Sequence, residues 1–224
     1  MKTVDRPLAA QKILKNKLRW LNAGSNTSKL QLDCIEMLLQ KFPEHLTLLE
    51  IGSAYGGGVE MMAKMVGDRG TVYGYDTFEG HPRDLAVKID DPEAYCMDMW
   101  YNNPMWGTKD LNYEYQREIL DEEGLDNAIL VKGRLNENSF DDIEKAHFVL
   151  MDLDMVNPSK IAYKAIKDKI VPGGFLFMHD IYPPHNLPHL HKWAYKEVVP
   201  DPMWVLEGEF LHSYLAILRR KETE

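Results

Sequence analysis

Nine consecutive residues and one carboxylate are placed to build a binding site for a ribose-bearing ligand. The apolar run LTLLEIG (46–52) passes into Glu50-Ile51-Gly52-Ser53-Ala54-Tyr55-Gly56-Gly57-Gly58. Glycines in such a loop let backbone approach a ligand closely, and the next helix would present free N–H groups at its start. A second apolar run, TVYGYD (71–76), ends in Asp76, followed by Thr77 and Phe78. Asp76 lies 76 − 52 = 24 residues after Gly52, the spacing at which a carboxylate accepts both hydroxyls of a ribose. The blander reading is a tight turn beside a surface Asp, with Phe78 as packing. A dinucleotide fingerprint asks for G-x-G-x-x-G. Here Ala54 replaces the second glycine, and Glu50 has no use beside a pyrophosphate.

Other residues invite chemistry less selectively. Asp152 ends the run HFVLMD (147–152), Asp154 follows it, and the two either hold a ligand or cap the turn into the next helix. Histidines 179, 185, 189 and 191 crowd one segment, but Pro183, Pro184 and Pro188 break any helix that would stack them. No Cys or H-E-x-x-H pattern accompanies them, so loop histidines lining a polar cleft compete with a metal cluster. His179 and His81 are both candidates for a general base. Met97, Met99, Trp100, Tyr101, Met105 and Trp106 lie in an aperiodic stretch at about 79–110. Such a stretch reads as a lid over the site, or equally as a packed excursion or subunit contact.

The elements that must position these groups follow from periodicity. Helices are expected at 7–21 and from Ser28 to Pro43, then at 57–65, 112–123, 158–170 and 188–199. Strands are expected at 46–52, 71–76, 128–133, 147–152 and 174–180, with a closing hairpin at 203–210 and 212–221. Repeated strand–helix units argue for an α/β, Rossmann-like, doubly wound sheet, here seven-stranded and ending in an antiparallel hairpin. The expected organisation is an N-terminal helical extension over 1–45 and one domain over 46–224, with the lid-like insertion inside it.

Composition narrows the class of protein. The 224 residues carry 26 Lys+Arg and 35 Asp+Glu, a net charge of −9, with mean hydropathy −0.39. That field disfavours nucleic acid as a partner; Lys12, Lys15, Lys17 and Arg19 read as a solvated helix face. No apolar run of about 18 residues and no secretory pattern occurs, so neither a membrane nor an export route is expected. Cys34 and Cys96 lack zinc or redox spacing and read as reduced thiols, which suits a cytoplasmic location.

The E-x-G-x-x-x-G segment resembles the first motif of the class I S-adenosylmethionine methyltransferases. VPGGFLFMHD (171–180) resembles their Pro-Gly-Gly turn into the fifth strand, and the closing hairpin resembles their last two strands. YDTFEGHP (75–82) is similar to the D-[ST]-F-E-G-x-P segment of the macrocin and mycinamicin sugar O-methyltransferases. LMDLDM (150–155) is similar to the D-x-D segment of that family. The resemblance implies S-adenosyl-L-methionine bound by Glu50, Gly52, Ser53, Tyr55, Gly56, Asp76, Thr77 and Phe78. It also implies a divalent metal, Mg²⁺ or Mn²⁺, on Asp152, His179 and Asp180, where His179 departs from the family's carboxylate. Catechol-type O-methyltransferases share the layout with Asp-Asn at the fifth strand. The implied activity is O-methylation of a small hydroxylated molecule such as a sugar, with Asp152, His179 and His81 as catalytic candidates. A nicotinamide-dependent oxidoreductase, a non-catalytic S-adenosylmethionine binder and a nucleic-acid methyltransferase are the rivals. A homo-oligomer joined through the N-terminal helices is expected.

Overall fold

The computed structural model describes residues 26–79, 113–182, 187–211 and 214–222. The helix expected at 7–21, most of the 79–110 insertion, His81, Cys96 and His185 lie outside them. The described chain runs α1 (Asn26–Lys41), β1 (Leu46–Ile51), α2 (Gly57–Val66), β2 (Gly70–Asp76), α3 (Tyr113–Glu122), β3 (Ala128–Lys132) and β4 (Ala146–Met151). It continues with α4 (Val156–Ile166), β5 (Ile170–His179), α5 (Pro188–Trp193), β6 (Trp204–Phe210) and β7 (Leu215–Arg220).

The seven strands form one sheet in the order β3-β2-β1-β4-β5-β7-β6. β1 to β5 pair in parallel, and β7 joins antiparallel to both β5 and β6. Alternation along each strand sends side chains to opposite faces, and here both faces are apolar. Leu48, Phe148, Phe175, Phe177 and Ile217 pack with Ile35 and Leu38 of α1, Val59 and Met62 of α2, and Leu120 of α3. Leu49, Val149, Leu176, Met178 and Leu218 pack with Ala162 and Ile166 of α4 and Leu190 and Trp193 of α5. The expected doubly wound architecture with its terminal hairpin is therefore the observed one. Among the described residues, no helix is long and apolar enough to cross a membrane. Cys34 is a buried free thiol, its pKa pushed up to about 12 by burial.

Three elements differ from the periodic reading. The fourth helix spans Val156–Ile166 and tightens to a 3₁₀ turn at Lys167–Lys169, so it neither starts at 158 nor reaches 170 as one α-helix. The segment expected as a helix over 188–199 is α-helical only to Trp193 and widens to a π turn at Ala194–Val198. β5 begins at Ile170 rather than 174, because the Pro-Gly-Gly segment is a bulge within it. Ala146 pairs Ile170 and Phe148 pairs Phe175, leaving residues 171–174 opposite His147 alone. A proline lacks the ladder N–H and Gly173 takes φ +80, so bulging rather than pairing is the physical outcome.

Strand order reverses between β1 and β4, where their ends touch. Asp152 N–H donates to Ile51 C=O at 2.8 Å. Gly52 has φ +91, and a Cβ there would overlap the backbone carbonyl of Asp152. Gly52→Ala should therefore lower stability by about 4 kcal/mol or more, because neither backbone segment has room to yield. Gly124→Ala is the control. It shares the left-handed conformation (φ +65) with open space around it, and should lose about 1 kcal/mol. Urea denaturation of both variants measures the difference, and equal losses would place the cost in φ alone.

Candidate active site at the carboxyl ends of the strands

Five non-glycine residues among those described adopt positive φ: Ala54, Phe78, Asp154, Asp180 and Tyr214. The first four follow the carboxyl ends of β1, β2, β4 and β5. Tyr214 precedes Leu215, which pairs with His179 at the end of β5. All five therefore lie along one edge of the sheet. Such conformations cost of order 1–3 kcal/mol each and collect where function overdetermines the backbone.

The loop after β1 is held from several sides. Ala54 N–H donates to Asp76 Oδ2 at 2.9 Å, and Phe78 N–H donates to Asp76 Oδ1 at 2.8 Å. Asp76 thus fastens the β1 loop to the β2 loop. Gln116 of α3 donates its amide to the Ala54 carbonyl at 2.6 Å. A Cβ on Gly56, the left-handed cap residue of α2, would come within 2.5 Å of Gln116 Oε1. On Gly58 it would overlap the Glu50 carboxylate. These glycines make room for side chains of neighbouring elements, Gln116 of α3 and Glu50 of β1.

Glu50 is 7% exposed and its carboxylate accepts the Val59 N–H, while Oε2 has no hydrogen-bond partner. Burial first, then repulsion from Asp152 and Asp76, pushes its pKa up to about 8. The charged groups that shift it are the Asp152 and Asp76 carboxylates. A site with this field repels a pyrophosphate and favours a cationic ligand. Ser53 Oγ is likewise buried without a partner. These orphaned atoms fit a polar, positively charged cofactor better than a dinucleotide.

Beyond Asp152 the edge carries a second cluster. His179 Nδ1 lies 2.9 Å from Asp180 Oδ2 and 3.2 Å from Asp152 Oδ1. Burial disfavours the imidazolium, but the two carboxylates outweigh it, and the His179 pKa stands well above the ordinary 6.5. That charged triad stabilises the fold below about pH 6.5, and the contribution is lost as pH climbs through the raised value. One donor atom from each of Asp152, His179 and Asp180 falls within 4.8 Å of the others, close enough to share a metal ion.

A methyltransferase-domain family matches residues 49–181, from the second half of β1 to just past this triad. The chain belongs to that family. It is an S-adenosylmethionine-dependent methyltransferase of class I. Several solved structures share the fold at low identity. The O-methyltransferase NovP superposes with a TM-score of 0.65 at 15% identity, over 85% of this chain and 78% of that one. The calicheamicin methyltransferase CalS11 gives 0.64 at 18%, over 98% and 94%. An rRNA methylase from Streptococcus thermophilus gives 0.52 at 14%, over 86% and 95%. No curated protein matches the sequence.

The methyltransferase brings together most of the residues singled out from sequence. Glu50, Gly52, Ser53, Tyr55, Gly56 and Asp76 form one loop cluster, and Asp152, His179 and Asp180 another beside it. Thr77 Oγ1 accepts the Glu79 N–H, and Phe78 is buried against Tyr113, ring centroids 5.4 Å apart, so both shape the turn after β2. Asp152 does not cap α4, whose cap residue is Met155. His191 turns away from a cluster: its Nδ1 meets the Ile181 carbonyl at 2.6 Å and its ring lies on Tyr195. Gln116 escaped the sequence reading. Its only signal is a polar residue one turn before Leu120, on the buried face of α3.

Burial of Glu50 costs the fold stability. A carboxyl whose folded pKa is raised destabilises the fold increasingly as pH rises from 4.5 to about 8. Glu50→Gln should therefore raise the melting temperature of the ligand-free protein by about 5 °C at pH 8. The same change should weaken S-adenosylmethionine binding at least tenfold by calorimetry. A variant that binds normally would remove Glu50 from the cofactor site.

Proposed function

We propose that this methyltransferase transfers the methyl group to a hydroxyl oxygen of a small molecule with adjacent oxygens, such as a sugar or phenolic natural product. The observation that carries this reading is the Asp152–His179–Asp180 cluster next to the Glu50–Asp76 loop. Two hard carboxylates and an imidazole suit Mn²⁺ or Mg²⁺, with the imidazole favouring Mn²⁺. Asp152, His179 and Asp180 would hold such an ion, which would polarise an acceptor hydroxyl and ease the loss of its proton. NovP is described as an O-methyltransferase and CalS11 as a TDP-rhamnose 3'-O-methyltransferase, which supports a sugar-like acceptor. The D-[ST]-F-E-G-x-P and D-x-D resemblances support the macrocin and mycinamicin type within that range.

The residues divide the work. Asp76 offers its carboxylate to the ribose hydroxyls while keeping the Ala54 and Phe78 N–H bonds that shape the loop. Glu50 faces the cationic part of the cofactor and is relieved of its uncompensated charge. His179 holds a proton at Nδ1 between two carboxylates in the metal-free protein. An imidazolium cannot ligate, so that proton leaves before a metal is held. Nor can it serve as a general base below its raised pKa. Methyl transfer is then an in-line displacement in which positioning and electrostatics supply most of the rate.

Titrating the purified protein with Mn²⁺ between pH 6 and 8.5 tests the metal. Affinity should rise with pH, with a proton released on binding. Asp152→Asn should abolish Mn²⁺ binding, leave S-adenosylhomocysteine affinity within about twofold, and reduce turnover on sugar or catechol acceptors at least tenfold. Full turnover in excess chelator would sink the metal and leave an ion-paired histidine in its place.

A further inference from the structure

Tyr214 sits at the end of the β6–β7 turn and is not part of the cofactor loop or the metal-ligand set. Its ring centroid lies 6.5 Å from that of His179, edge-on at 73°. The position is dictated by the ladder, since the next residue, Leu215, pairs with His179 across β5 and β7. Tyr214 is 43% exposed and belongs to neither hydrophobic cluster. Its N–H donates to the Leu211 carbonyl at 3.5 Å and its φ is +50, the left-handed position that closes a short hairpin turn and fixes where the side chain leaves the backbone. At the other end of the same turn, Leu211 is exposed as well. An open aromatic face thus stands beside the one cluster of described residues that gathers donors for a metal.

We propose that Tyr214 selects the acceptor, stacking its phenol ring on the ring of a molecule whose adjacent oxygens reach the Asp152–His179–Asp180 cluster. This rests on the O-methyltransferase reading above and adds that the acceptor is cyclic. An acyclic dioxygen ligand engages the cluster equally but gains nothing from Tyr214. Aromatic stacking of this kind adds roughly tenfold in affinity.

The test uses the whole protein loaded with Mn²⁺ and S-adenosylhomocysteine, with two probes of the same cluster. 4-Nitrocatechol carries adjacent oxygens on a ring and reports binding by its visible absorbance; oxalate carries them on no ring. Tyr214→Asn, which suits a left-handed backbone, should weaken 4-nitrocatechol about tenfold and change oxalate less than twofold. Tyr214→Phe should retain wild-type affinity for both. Unchanged 4-nitrocatechol binding in Tyr214→Asn, or equal losses for both probes, would overturn the role of Tyr214. A wild type that binds S-adenosylhomocysteine but neither Mn²⁺ nor either probe would instead overturn the metal-and-diol reading itself, and the Tyr214 role with it.

Discussion

At the reversal of strand order, the backbone of Gly52 lies directly against the carbonyl of Asp152. Adjacent parallel strands whose connections run in opposite directions leave a crevice at their carboxyl ends. Its width is set by how closely the two backbones meet. Here the meeting is tight enough to exclude any side chain at Gly52. Glu50 and Asp152 are thereby brought close enough to repel, and Asp76 on the next strand joins them. The shape of the β1 loop, the anionic field and the position of Asp152 all follow from this one contact.

Concentrating carboxylates at one edge has an electrostatic consequence. Burial and neighbouring carboxylates act on Glu50, and the His179 ring nitrogen lies between Asp152 and Asp180. The fold tolerates these charges by raising the pKa of Glu50 and by keeping His179 protonated. Both adjustments answer the same crowding of negative charge along the edge. The pyrophosphate of a nicotinamide dinucleotide would meet a field of its own sign, which agrees with the match of the methyltransferase family over 49–181.

Backbone strain tells the same story independently of charge. Ala54, Phe78, Asp154, Asp180 and Tyr214 are left-handed without being glycine, and all border this edge. The apolar layers on the two faces of the sheet supply the rigidity that holds them there. Asp76 and Gln116 are the local clamps on Ala54, one through its N–H and the other through its carbonyl.

Apolar runs ending in glycine or aspartate were enough to place five parallel strands, and the alternation of runs and amphipathic stretches was enough for a doubly wound sheet. Local motifs located Glu50, Asp76, Asp152, His179 and Asp180, because a strand's end is a short-range property that punctuation residues mark. Other features depended on atoms far apart in the chain. Residues 171–174 read as a turn before a strand, yet pairing of Ala146 with Ile170 makes them a bulge inside it. Gln116 looked like an ordinary helical residue until α3 was laid across Ala54, 62 positions away. Tyr214 acquired meaning only when β7 returned antiparallel and set it over His179. Sequence by itself determined the sheet's strands and the acidic residues at their ends, since those follow from local hydrophobicity and chain stiffness. Which side chains clamp, oppose or overhang those acids was decided by tertiary packing, because such contacts exist only once the strands have taken their order.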